Sequence, residues 1–127
     1  MKAKDKGVNV QTFAKYTHMQ LGYAGRDWFN VHTSDLNRPA IQFAGYFQYF
    51  SADRVQIVGN QEMACLRTLR PEEVDGRMDE FFSYKVPCLV ICNGDPVPEM
   101  LMRKAKENGV PIFCCEESTS KTSHIVV

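Results

Sequence analysis

From residue 54 onward, strand-like runs alternate with segments of helical periodicity, and that order constrains the fold more than any other feature of this chain. Arg54-Val55-Gln56-Ile57-Val58-Gly59 reads as a β-branched strand ending in glycine. Asn60 is a fair cap for a following helix, with Cys65, Leu66 and Leu69 facing inward. Pro71-Glu72-Glu73 opens a second helix, with proline and acids in its first turn. Within it Val74, Met78, Phe81 and Phe82 fall at i, i+4, i+7 and i+8, an apolar stripe. Residues 86–92 form a continuous apolar run broken only by Pro87, the pattern of a central strand covered on both faces. Asp95 is expected to cap a third helix, with Pro96 in its first turn and Val97, Leu101 and Ala105 on one side. Gly109 is the expected C-terminal stop, and residues 110–115 are the next strand.

The order strand, helix, helix, strand, helix, strand implies right-handed crossovers. The predicted fold class is α/β: a single domain over residues 1–127, with a mostly parallel sheet and helices packed on it. Open α/β sheets bind ligands outside the carboxyl ends of their strands. Gly59, Asn93-Gly94 and residues 116–120 are expected there. Asn93, Gly94, Ser118, Thr119 and Ser120 therefore form a candidate site for a small anion. The alternative for the hydroxyl tract is a plain helix cap, since serine and threonine favour that position anyway.

The first half is less legible. Residues 8–21 are ambiguous, with a short helix one reading, and Gly22, Gly25 and Asp27 make the next stretch turn-rich. Trp28-Phe29-Asn30-Val31-His32 reads as a strand. Asn37-Arg38-Pro39 then opens an element holding five of the fourteen aromatics within residues 43–50. A helix apolar nearly all round needs cover on more than one face. Plain core is one reading. An oligomer interface through Phe43, Tyr46, Phe47 and Tyr49 is the other.

Composition excludes several functions. With 44% hydrophobic and 24% charged residues, the chain is neither disordered nor fibrous. Lys+Arg and Asp+Glu are 15 each, so bulk charge favours neither nucleic acid nor an anionic membrane. No apolar run reaches the ~18 residues of a membrane span, and no signal-peptide core follows the first lysines. The expected location is the cytoplasm. Cys65, Cys88, Cys92, Cys114 and Cys115 lack disulfide or zinc spacing and are expected as buried thiols. The motifs G-x-x-x-x-G-K-[ST], G-x-G-x-x-G and G-x-S-x-G are all absent from the sequence. No constellation for catalysis or for a metal is assigned, and no cofactor is expected in this chain.

The run Asn37-Arg38-Pro39-Ala40-Ile41-Gln42-Phe43-Ala44-Gly45-Tyr46-Phe47-Gln48-Tyr49-Phe50 resembles the N-terminal domain of bacterial HPr kinase/phosphorylase. The likeness continues through Arg54-Val55-Gln56-Ile57-Val58-Gly59 and Glu62, and resumes at Pro87-Cys88-Leu89-Val90-Ile91, Pro98-Glu99-Met100-Leu101, Val110-Pro111-Ile112 and Ser118-Thr119-Ser120. Asn37, Arg38, Pro39, Gly45 and Gly59 carry the signature. Ala40 stands where the family usually has glycine, and Asn93 where it more often has a basic residue. The resemblance implies a fold similar to the N-terminal domains of Mur ligases. It also implies a parent enzyme that uses ATP and magnesium to phosphorylate a serine of HPr, reverses that reaction, controls carbon catabolite repression and works as a homo-oligomer. The part resembled here is the accessory one, so ATP and magnesium are expected only in a separate catalytic domain. The expected partners are that domain, further copies of the chain and, through the parent enzyme, HPr. The alternative is a free-standing regulatory domain similar to DRTGG, binding a small anion at the strand ends.

Overall fold

Alternate residues of the central strands enter two different cores. The computed structural model describes residues 8–9, 14, 19–25, 28–29 and 36–118. Among them the strands are β1 (Val8–Asn9), β2 (Gln20–Tyr23), β3 (Trp28–Phe29), β4 (Leu36–Asn37), β5 (Val55–Val58), β6 (Leu89–Ile91) and β7 (Ile112–Cys114). The helices are α1 (Ala40–Phe43), α2 (Asn60–Arg67), α3 (Pro71–Ser83) and α4 (Glu99–Asn108). The main sheet has five strands in the order β2-β7-β6-β5-β4, and β1 pairs with β3 separately. From β4 to β7 every pairing is parallel; β2 closes the β7 edge antiparallel. The single-domain α/β reading with a mostly parallel sheet is therefore correct.

Each parallel crossover steps one strand in the same direction, so right-handed connections deliver the helices to one face. In register, Ile57, Val90 and Phe113 form one row, and Val58, Ile91 and Cys114 the next. Val58, Leu89, Ile91 and Ile112 meet Phe43, Met63, Met78, Phe81, Phe82, Leu101 and Ala105 from the helices. Val55, Ile57, Cys88, Val90, Cys92, Phe113 and Cys115 point the other way, against Ala14 and Met19. Period-two side chains explain why these strands are apolar throughout. At the centre of the helical core, Phe81 stands edge-on to Phe43 and Phe82, with centroids 5.2 and 5.1 Å away. Such pairs contribute about 0.5–1.5 kcal/mol each beyond burial.

α3 begins at Pro71, as its sequence predicts, and its stripe buries Met78, Phe81 and Phe82 with Val74 half-buried. α4 ends at Gly109 in the left-handed conformation, φ +68°. Three expectations are corrected. Asp95 does not cap α4; Pro98 precedes its first residue, Glu99. A residue before proline is pushed out of the helical region, so Asp95-Pro96 and Val97-Pro98 together delay the helix. The aromatic segment is not one long helix. α1 stops at Phe43, and the chain turns at Gly45 with φ +114°. A β-carbon there would sit 3.2 Å from the Arg77 guanidinium. Finally, Gly22 lies in a strand, β2, rather than a turn; a β-carbon at this position would lie 3.1 Å from Cys114 Sγ.

Candidate functional site

The signature residues lie along the line where β4 meets β5 and α2. Asn37 ends β4 and pairs in register with Gln56 of β5. Asn37 Nδ2 donates to Gln56 Oε1 at 2.7 Å and, more weakly, to Gln42 Oε1 at 3.4 Å. Gln56 Nε2 donates in turn to the carbonyls of Ser51 and Arg54 at 3.0 and 2.8 Å. Gln42 Nε2 reaches the carbonyl of Tyr46 at 3.2 Å. Gln56 is wholly buried and Gln42 nearly so. Buried amides are costly unless satisfied, and here three side-chain amides satisfy one another and fix the loop that returns to β5.

Arg38 and Glu62 form the second part. Arg38 Nη2 donates to Glu62 Oε1 at 2.9 Å and its Nε donates to Oε2 at 3.2 Å, a two-pronged pair. The Glu62 side chain has no exposure, whereas Arg38 keeps 38%. Glu62 Oε1 also accepts the backbone N–H of Gly59 at 2.8 Å. Gly59 caps α2, so Glu62 at the third helical position reaches back to an N–H that would otherwise lack a partner. The negative charge that a helix N-terminus favours is thus supplied by the chain itself and neutralised by Arg38. Asn60 is the first residue of α2 rather than its cap.

Arg77 of α3 ties down the segment after α1, its Nη1 donating to the carbonyl of Phe43 at 2.6 Å. Beyond Gly45, Phe47 stacks on Tyr84 at 5.4 Å and Phe50 meets Phe47, Phe81 and Tyr84 at 5.1–5.9 Å. Phe43 is fully buried in the core, so this residue is not part of any outer surface. Phe47 is half-buried. Tyr46 and Tyr49 are open, at 70% and 93% exposure, with Ile41 at 62% beside them in sequence.

At the carboxyl end of β6, Asn93 and Gly94 both have positive φ, +64° and +67°. Their backbone N–H groups donate to the carbonyls of Glu117 at 2.8 Å and Cys115 at 3.0 Å. These donors are spent on the segment after β7. Asn93 Nδ2 contacts Asn60 Oδ1 at 3.4 Å, joining the ends of β5 and β6. Ser118 is exposed, while Thr119 and Ser120 lie outside the described residues.

Charge is concentrated elsewhere, between α3 and α4. Lys104 Nζ lies 2.8 Å from Asp75, 2.7 Å from Asp79 and 3.8 Å from Glu107, and its side chain is only 9% exposed. The hydrogen bond from Lys104, reinforced by its charge, holds the Asp75 carboxyl below the usual carboxylate range. The same bond, with a second that Lys104 donates to Asp79, raises Lys104 above the ordinary lysine value. The five cysteines form no disulfide; Cys88, Cys92 and Cys115 are buried, Cys65 and Cys114 are only half-buried, and burial pushes the Cys114 thiol up. Among the described residues no group of three His, Cys, Asp or Glu side chains is placed to hold a metal, and no helix is long and apolar enough to cross a membrane.

Sequence reasoning singled out Asn37, Arg38, Pro39, Gly45 and Gly59; the fold brings Asn37, Arg38 and Gly59 to the β4–β5–α2 junction and sets Gly45 against Arg77 of α3. It gave no role to Gln42, Gln56, Arg77 or Lys104. A glutamine between Val55 and Ile57 in a strand covered on both faces was the available signal, because such a group must find partners.

Residues 8–127 match the family described as HPr Serine kinase N terminus. The HPr kinase/phosphorylase of Lachnoclostridium phytofermentans is 46% identical over 86 residues, 68% of this chain and 28% of that protein. That of Bacillus mycoides is 37% identical over 93 residues, 73% of this chain and 30% of that protein. That of Clostridium perfringens is 30% identical over 115 residues, 91% of this chain and 38% of that protein. The chain therefore spans roughly a third of the length of the curated relatives it matches. A crystal structure of the CBS and DRTGG domains of the regulatory region of Clostridium perfringens pyrophosphatase, complexed with the activator diadenosine tetraphosphate, is similar in fold. Its TM-score is 0.63 at 15% identity, over 94% of this chain and 46% of that one. With the family match across nearly its whole length and the signature built into the β4–β5–α2 junction, this chain belongs to the HPr serine kinase N-terminal family.

Proposed function

We propose that this chain is the accessory, non-catalytic part of an HPr kinase/phosphorylase, acting in assembly or regulation. In this reading, phosphorylation of an HPr serine with ATP and magnesium, and its reversal, belong to a separate catalytic domain. The observation that carries the reading is the inward commitment of the signature. Asn37 is spent on Gln56, and Arg38 on Glu62, so the most specific residues of the family build this domain rather than meet a substrate. The sequence supports it as well, having no run that matches a phosphate-binding loop. The partners in this reading are the catalytic domain, further copies of the chain and, through the parent enzyme, HPr. Tyr46 and Tyr49 are the aromatic surface open to an assembly contact. The cytoplasm is the proposed location.

The test is direct. The chain is incubated with HPr, ATP and magnesium, and phosphoserine is measured by mass spectrometry. No transfer is expected. Transfer above a blank without the chain would overturn the reading.

A further inference from the structure

We draw no further inference here: the strongest candidate, the exposed apolar patch of Ile41, Tyr46 and Tyr49 on the segment following β4, belongs to the assembly reading already proposed, and nothing in the structure shows what covers it.

Discussion

Arg38 and Glu62, 24 residues apart, are joined by two hydrogen bonds of 3.2 and 2.9 Å that hold a fully buried carboxylate against a half-exposed guanidinium. The pair locks the entry to α1 onto the first turn of α2. Removing Arg38 leaves the buried charge, among the described residues, with the Gly59 N–H alone. Stranding a buried charge in this way costs several kcal/mol. Arg38→Ala should therefore destabilise by about 2–4 kcal/mol, the lower part reflecting solvent access to Arg38. Glu62→Gln keeps an acceptor for Gly59 and should cost less, about 1–2 kcal/mol. Urea unfolding followed by circular dichroism measures both. Equal losses in the two variants would show that the buried charge is not what Arg38 serves.

Gln56 gives a second prediction, with the opposite intuition. Leucine has a similar volume and suits a strand covered on both faces. Yet the Gln56 amide serves the carbonyls of Ser51 and Arg54 and the amide of Asn37. Gln56→Leu should lose about 2–4 kcal/mol, since unpaired buried polar groups cost about 1–3 kcal/mol each and the loop can rescue some of them. Denaturant midpoints measure this; a midpoint at or above that of the unaltered chain would refute the role given to the network.

The ionic contact between α3 and α4 predicts a pH dependence. The Asp75 carboxyl is held low in the folded state, so its contribution is fully present above the ordinary aspartate range, ~4. It is lost as pH falls through the lowered folded value. Lys104 is raised, so its contribution is present below the ordinary lysine value and is lost only as pH rises through the higher folded value. Stability should accordingly fall on the acid side. In Lys104→Met the Asp75 carboxyl returns toward its ordinary value, and the acid-side slope should be shallower. Urea midpoints from pH 3 to 7 provide the comparison. An unchanged slope in the variant would mean that Lys104 does not hold Asp75 low.

How far the sequence reveals this fold depends on the range of the forces involved. α3 was legible because proline, two acids and the spacing of Val74, Met78, Phe81 and Phe82 are local signals. β6 and β7 were legible because both their faces are buried, which leaves little room for polar residues. The stretch after Pro39 misled because Phe43, Tyr46, Phe47 and Phe50 have helical spacing. The turn at Gly45 separates them: Phe43 enters the core and Tyr46 enters solvent. The Arg38–Glu62 pair and the Asn37–Gln56 bond join residues 24 and 19 apart, and no local pattern encodes them. At α4 the prolines outweigh the aspartate: Pro98 pushes Val97 out of the helical region, so the helix starts at Glu99.

Tyr49 supplies a prediction in which a substitution stabilises the chain. It is a non-glycine residue with φ +61°, and it is 93% exposed. The left-handed conformation costs an L-residue with a β-carbon roughly 1–2 kcal/mol, a penalty glycine escapes. The greater freedom of glycine in the unfolded chain returns part of that gain. Almost no packing is lost, because the ring lies in solvent. Tyr49→Gly should thus stabilise the isolated chain by about 0.5–1 kcal/mol, read as a higher urea midpoint. If the ring serves assembly, the same variant should show a smaller mass by light scattering at equal concentration, despite its greater stability. A gain in stability with unchanged mass would remove Tyr49 from the assembly surface, and a loss of stability would show that the ring packs where the structure leaves it bare.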